Sequence, residues 1–185
     1  ENYHVKVTIH ADGLGVGTHR GKVRISSDAA ANGPLEVPVE LRVVARGRPV
    51  LSAGGAVDAA AYCGGAHCYL APGELATLFG SQLAYPAAMA ARQPLPTVLG
   101  TTRVLVNGRA AELLSADFGQ VNLRVPDLPV SAGRLFLQVE RDGQRSNTIT
   151  VGYTTAAPAI FTANQSGSGY GAILHPNTGR LVQAE

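Results

Sequence analysis

In the run Gly119-Gln120-Val121-Asn122-Leu123-Arg124-Val125-Pro126, Val121, Leu123 and Val125 alternate with Gln120, Asn122 and Arg124. A period of two sends successive side chains to opposite faces, as in a half-buried β-strand and unlike an amphipathic helix. Pro126 has no backbone donor and ends the pairing. The same period recurs in Thr101 to Val106, ahead of Asn107-Gly108, and in Leu135 to Glu140, ahead of Asp142-Gly143. Asn-Gly and Asp-Gly supply the positive φ of two-residue hairpin turns. Short strands joined by tight turns predict an all-β chain of antiparallel strands.

Composition narrows the class further. The 185 residues suffice for one large domain or two small ones. Apolar residues make up 45%, enough for a core, while charged residues are 15%, below the usual quarter or so. Gly 22 and Pro 11 suit many strands joined by turns. The net charge is +2 and the basic residues are scattered, which argues against nucleic acid as a partner. No apolar run approaches the roughly eighteen residues of a membrane-spanning helix. The chain opens at Glu1, inside a predicted strand, and reads as a mature product or a fragment.

Three strands are predicted before residue 47. Tyr3 to His10 alternates, with Val5, Val7 and Ile9 on one face. Thr18 to Ser26 and Leu35 to Val43 follow, and Pro38 on the polar face of the third marks an edge or a bulge. Arg46-Gly47-Arg48-Pro49 reads as a linker. A β-sandwich needs about seven strands, so residues 1–47 form a partial module. Gly17 to Ile25 and Val37-Pro38-Val39-Glu40-Leu41-Arg42-Val43 resemble the closing strands of a BACON-type bacterial immunoglobulin-like domain. His19 stands where that pattern has an aromatic.

Beyond the linker the turn Ala71-Pro72-Gly73-Glu74 precedes a short strand, Leu75 to Phe79. Ala88 to Arg92 could hold one helical turn. Strands follow at about 101–106, 110–115, 119–125, 134–140 and 146–152, and residues 48–153 read as one sandwich with Val104, Val106, Val121, Leu123, Val125, Leu135, Leu137 and Val139 inward. Residues 154–185 read as the start of a further β module or a strand-exchange tail. Its hairpin pairs Gly171–Leu174 with Arg180–Gln183 around Pro176-Asn177-Thr178-Gly179.

Several motifs in this part share one source. They are Val57-Asp58-Ala59-Ala60, Ala71-Pro72-Gly73-Glu74, Phe79-Gly80-Ser81-Gln82-Leu83, Pro94 to Gly100, Val106-Asn107-Gly108, Gln120-Val121-Asn122 and Ala157-Pro158-Ala159-Ile160-Phe161-Thr162. In order and spacing, over about residues 54–175, the chain resembles the uncharacterised C-terminal module of acidobacterial (Solibacter-type) secreted proteins. The resemblance implies an immunoglobulin-like, TIG-type sandwich on an exported protein. It carries no catalytic residues to transfer, and the family module continues where this chain stops at Glu185.

The candidate chemistry is sparse. Cys63 and Cys68 are the only cysteines; in an exported chain a disulfide is favoured. The rival is a metal site of Cys63, His67 and Cys68, one ligand short of a structural zinc. His4, His10, His19, His67 and His175 are scattered, and His4 and His10 lie about 20 Å apart along a strand. Asp12, Asp28, Asp58, Glu74, Glu112, Asp117, Asp127 and Glu140 are isolated, with no calcium loop among them. Ser166-Gly167-Ser168-Gly169 lacks the strand-to-helix elbow of a hydrolase nucleophile, and Gly13-x-Gly15-x-Gly17 does not open a helix, as a phosphate cradle would.

Two groups remain as candidate binding surface. Gln120 and Asn122 share the outward face of their strand, about 7 Å apart; hydrogen bonding to the backbone of a neighbouring loop is the favoured role. Tyr62, Tyr69 and Tyr85 lie in predicted loops and could present a sugar platform. The expected function is a non-catalytic structural or adhesive protein of a bacterial exterior, a candidate fibre subunit through head-to-tail strand exchange. The alternative is a carbohydrate-binding module or an accessory domain of a secreted hydrolase. Partners are then other proteins, copies of itself or glycans, and no cofactor is expected.

Overall fold

The computed structural model describes residues 6–9, 11, 13–26, 33–63, 68–129 and 133–182. The chain divides into two compact units, Glu1–Arg46 and Gly47–Glu185. Residues 154–182 thus fall within the second.

In the first unit, β1 (Gly17–Ile25) and β2 (Leu35–Val43) form an antiparallel ribbon. Its register, Gly17↔Val43 through Ile25↔Leu35, puts Val23, Val37, Val39, Leu41 and Val43 on one face. The other face carries two ion pairs, Arg20–Glu40 and Lys22–Glu36, each at 2.9 Å. The expected first strand is not seen where it can be observed: Lys6–Ile9 carry no strand and pair with none of the described residues, and Tyr3–Val5 and His10 lie outside the described residues. Alternation chooses which face of a strand is buried, but the ladder needs a partner that alternation does not supply.

The second unit is two sheets around one core. Ranges in chain order are β3 (Val50–Asp58), β4 (Tyr69–Leu70), β5 (Leu75–Ser81), β6 (Ala88–Met89), β7 (Thr102–Val106), β8 (Arg109–Ala110), β9 (Glu112–Ala116), β10 (Gln120–Arg124), β11 (Gly133–Arg141), β12 (Gln144–Arg145) and β13 (Ile149–Tyr153). One sheet runs β3-β5-β10-β9-β6; the other runs β4-β13-β11-β7-β8, with β12 paired to β11. All pairs are antiparallel except β13 with β4. The fold is all-β, and no described helix is long and apolar enough to cross a membrane.

The eight residues of this unit expected to face inward do so: Val104, Val106, Val121, Leu123, Leu135, Leu137 and Val139 are wholly buried and Val125 nearly so, whereas in the first unit Ile25, also expected inward, is 41% exposed. The Asn107-Gly108 and Asp142-Gly143 hairpins form as expected, with positive φ at all four residues. Several elements differ from expectation, among them the strand expected at 110–115, which is split into β8 and β9. The helical turn at Ala88–Arg92 is instead the edge strand β6, because Ala88 and Met89 pair with Ala116 and Ser115 and Ala90 N–H donates to the Leu114 carbonyl. Strand β3 was hidden by its glycines. It pairs Leu51 with Gly80 and Ala56 with Leu78, so Ser52 to Gly55 bulge outward opposite Phe79 alone. A Cβ on Gly55 would lie 2.7 Å from the Phe79 carbonyl, so this close approach demands glycine. Strand β4 is too short to leave a periodic signal.

Candidate functional site

Cys63 and Cys68 form a disulfide, and Cys68 is fully buried in the core. His67, the third member of the rival metal site, lies outside the described residues, but both thiols are consumed by the bond. Among the described residues no three His, Cys, Asp or Glu side chains approach closely enough to hold a metal ion. His4 and His10 also fall outside them; the His19 Nε2–H donates to the Gly15 carbonyl at 2.8 Å. Ser166 sits in a turn, its hydroxyl within 2.8 Å of Asn164 Oδ1 and 2.9 Å of the Ser168 carbonyl. Those bonds occupy the hydroxyl in local turn structure, and among the described residues no histidine is bonded to it.

Gln120 and Asn122 lie half-buried on the outer face of β10, as the strand parity requires. Asn122 Oδ1 accepts from Thr77 Oγ1 at 2.8 Å on β5 and from Gln120 Nε2 at 2.9 Å. Its Nδ2 donates to Ser115 Oγ at 2.9 Å on β9. The pair therefore staples three adjacent strands. The partners are side chains on neighbouring strands rather than loop backbone.

Asp58, Glu74 and Arg141 are instead spent on backbone. Asp58, 3% exposed, accepts through Oδ1 from the N–H groups of Ala60 and Ala61 and holds the turn that leads to Tyr62. Glu74 Oε2 accepts from Ala71 N–H at 2.6 Å and closes the Pro72-Gly73 turn. Arg141, 3% exposed, donates to the carbonyls of Gln82 and Gly47, and Gln82 Oε1 accepts from Gly47 N–H. The glycine of the expected linker is thus held at both backbone groups. Arg141 shares the parity of Leu135, Leu137 and Val139, and that parity was the sequence signal for its burial.

One carboxylate is electrostatically distinct. Glu140 Oε1 lies 2.8 Å from Arg103 Nη2 and Oε2 lies 3.1 Å from Arg145 Nε. Hydrogen bonding from Arg103, then from Arg145, holds its pKa below the ordinary glutamate value. The three residues form a cross-strand ion cluster over β7, β11 and β12.

Tyr62 and Tyr69 border different surface hollows. Tyr62 borders one of about 420 Å³ with Phe161 and Gln165. Tyr69 borders another of about 280 Å³ with Gly54, Arg134, Thr150 and Gly152. Tyr85 is 64% exposed on the loop after Ala84, whose N–H donates to the Asp117 carbonyl. A further hollow of about 410 Å³ holds Arg109, Glu112, Arg124 and Asp127, but Arg124 pairs with Glu112 at 3.2 Å and Arg109 donates to the Asp127 carbonyl at 2.6 Å. Arg134 escaped the sequence reading, since a single arginine in an alternating strand carries no mark of a site.

No protein-family model matches this sequence, and no curated protein matches it either.

Proposed function

We propose that this chain is a non-catalytic structural or adhesive β-sandwich of a bacterial exterior, related to the Solibacter-type C-terminal module and preceded by the end of a BACON-like domain. The observation that carries this reading is the use of its polar residues. Asp58, Glu74, Arg141, Asn147 and the Gln120–Asn122 pair all hold backbone or neighbouring strands, as expected of a scaffold. Several lie within the motifs that suggested the family, which supports reading those motifs as structural. The disulfide adds support for an oxidising compartment.

The adhesive or fibre-forming role draws on the first unit. A two-stranded ribbon is marginal alone, and Ile25, Leu35 and Val37 on the apolar face of β1 and β2 are 41%, 62% and 42% exposed. Strand addition by a partner would extend the ribbon at its edges, and packing by a partner would cover that face. Cell fractionation and light scattering test the reading. Recovery with the cell surface or medium, together with concentration-dependent self-association or surface adhesion, is expected. A cytoplasmic, reduced, monodisperse monomer overturns it.

A further inference from the structure

The outer face of the β4-β13-β11 sheet carries a constellation that none of the scaffold roles uses. The register sets Tyr69 beside Gly152 and Gly152 beside Arg134, in one row across three strands. Leu70 and Leu135 next to them are fully buried, so Tyr69 and Arg134 project outward. Their Cα atoms are then about 10 Å apart, two inter-strand steps. Between them Gly152 has no side chain. A Cβ there would lie 2.6 Å from Tyr69 Cδ1 and 2.9 Å from Cε1, so the ring lies low over the glycine. Aromatic cover of a strand glycine is a structural device in its own right; here it leaves the ring 51% exposed.

Beside the ring is the hollow of about 280 Å³ bordered by Gly54, Arg134, Thr150 and Gly152. The β3 bulge at Gly54 and the missing side chain of Gly152 open it. Phe136, 55% exposed and paired with Thr150, continues the same face. No carboxylate lines the hollow, and among the described residues none pairs with Arg134.

We propose that this hollow is a subsite for a carboxylate-bearing sugar residue of an acidic polysaccharide, an inference that rests on the adhesive form of the function above. The Tyr69 ring offers a flat apolar surface to the C–H face of a pyranose. The Arg134 guanidinium offers its planar fork of donors to the carboxylate. The Thr150 hydroxyl is available to a ring hydroxyl, and Phe136 would meet the next sugar. A peptide of acidic residues alone has no flat apolar face to match the ring, so the pairing of ring and guanidinium favours the sugar.

Calorimetric titration of the whole chain tests this with a galacturonate trisaccharide, a neutral galactose trisaccharide, an oligoglutamate peptide and sulfate. Saturable binding of the galacturonate alone is expected, weakened at least tenfold by Arg134→Gln and by Tyr69→Ala, and retained by Tyr69→Phe. The thermal midpoint of Arg134→Gln should match that of the parent. Should Tyr69→Ala not fold, Arg134→Gln and Tyr69→Phe carry the test. Equal binding of the neutral sugar, the peptide or sulfate overturns the proposal, as does indifference to Arg134→Gln or no saturation at millimolar sugar. Those outcomes leave the scaffold reading standing, because fractionation and light scattering test it separately.

Discussion

The side-chain amide of Asn147 is bonded to both backbone groups of Leu51. Leu51 N–H donates to Asn147 Oδ1 at 2.8 Å, and Asn147 Nδ2 donates to the Leu51 carbonyl at 3.0 Å. On its other side Leu51 pairs with Gly80 of β5. Asn147 therefore acts as one residue of a missing strand, joining the edge of one sheet to the segment between β12 and β13 of the other.

Asn147→Ala leaves a donor and an acceptor of Leu51 without their partners. The expected loss is roughly 1–3 kcal/mol, read as a lower urea midpoint with an unchanged slope. Asn147→Asp should be at least as damaging, since it keeps the acceptor but sets a carboxylate against the Leu51 carbonyl. A loss for both within the scatter of surface substitutions would show that the amide contributes little.

Leu123 is wholly buried at the centre of β10, between Ala76 and Leu113 in the ladder. Leu123→Ala removes apolar contacts and leaves a cavity, at a cost of about 2–5 kcal/mol. Arg124→Ala, its exposed neighbour, should cost far less. Chemical unfolding of the two variants side by side checks the assignment of faces.

The Cys63–Cys68 disulfide closes a short loop. The double variant Cys63→Ser/Cys68→Ser should lose about 2 kcal/mol through the freer unfolded chain. Mass mapping without reductant should find the two cysteines linked in freshly isolated protein. Two free thiols there would count against both the bond and an exported address.

Glu140 binds its proton less readily when folded, because Arg103 and Arg145 favour its charged form. A depressed folded pKa means stability that is present in full above the ordinary glutamate pKa of about 4.3 and lost as pH falls through the lower folded value. Glu140→Gln should therefore flatten the acid limb of the stability profile while leaving its slope between pH 6 and 8 unchanged. Thermal midpoints collected from pH 2 to 8 for both proteins decide this.

For the alternating strands β7, β10 and β11 the sequence alone was enough. Val121, Leu123 and Val125 announced their face because burial of one side of a sheet imposes a period of two, and Asn107-Gly108 announced its turn because few other pairs tolerate that backbone. Where the signal depends on a distant partner, it was silent or misleading. The alanines of β6 read as a helical turn until Ala116 and Ser115 supplied a ladder. No strand was predicted over the glycines of β3, where Gly55 lets the Phe79 carbonyl approach.

The candidate site divides in the same way. Gln120 and Asn122 were legible as an outward polar pair, but the expected loop backbone is not what they bond. Which groups they would meet depended on register, which brings Thr77 and Ser115 beside Asn122. Tyr62, Tyr69 and Tyr85 are close in sequence, yet Tyr62 and Tyr69 border different hollows.

By itself the sequence determined the all-β class, the inward face of the long strands and the sites of the tight turns. All of these follow from local sterics and the two-residue period. Only the tertiary structure decided that Asn147 would complete the edge of β3, that Arg141 would hold Gly47, and that Tyr69 and Arg134 would flank Gly152. Each joins residues far apart in the chain, and their meeting depends on the order and register in which whole strands pair.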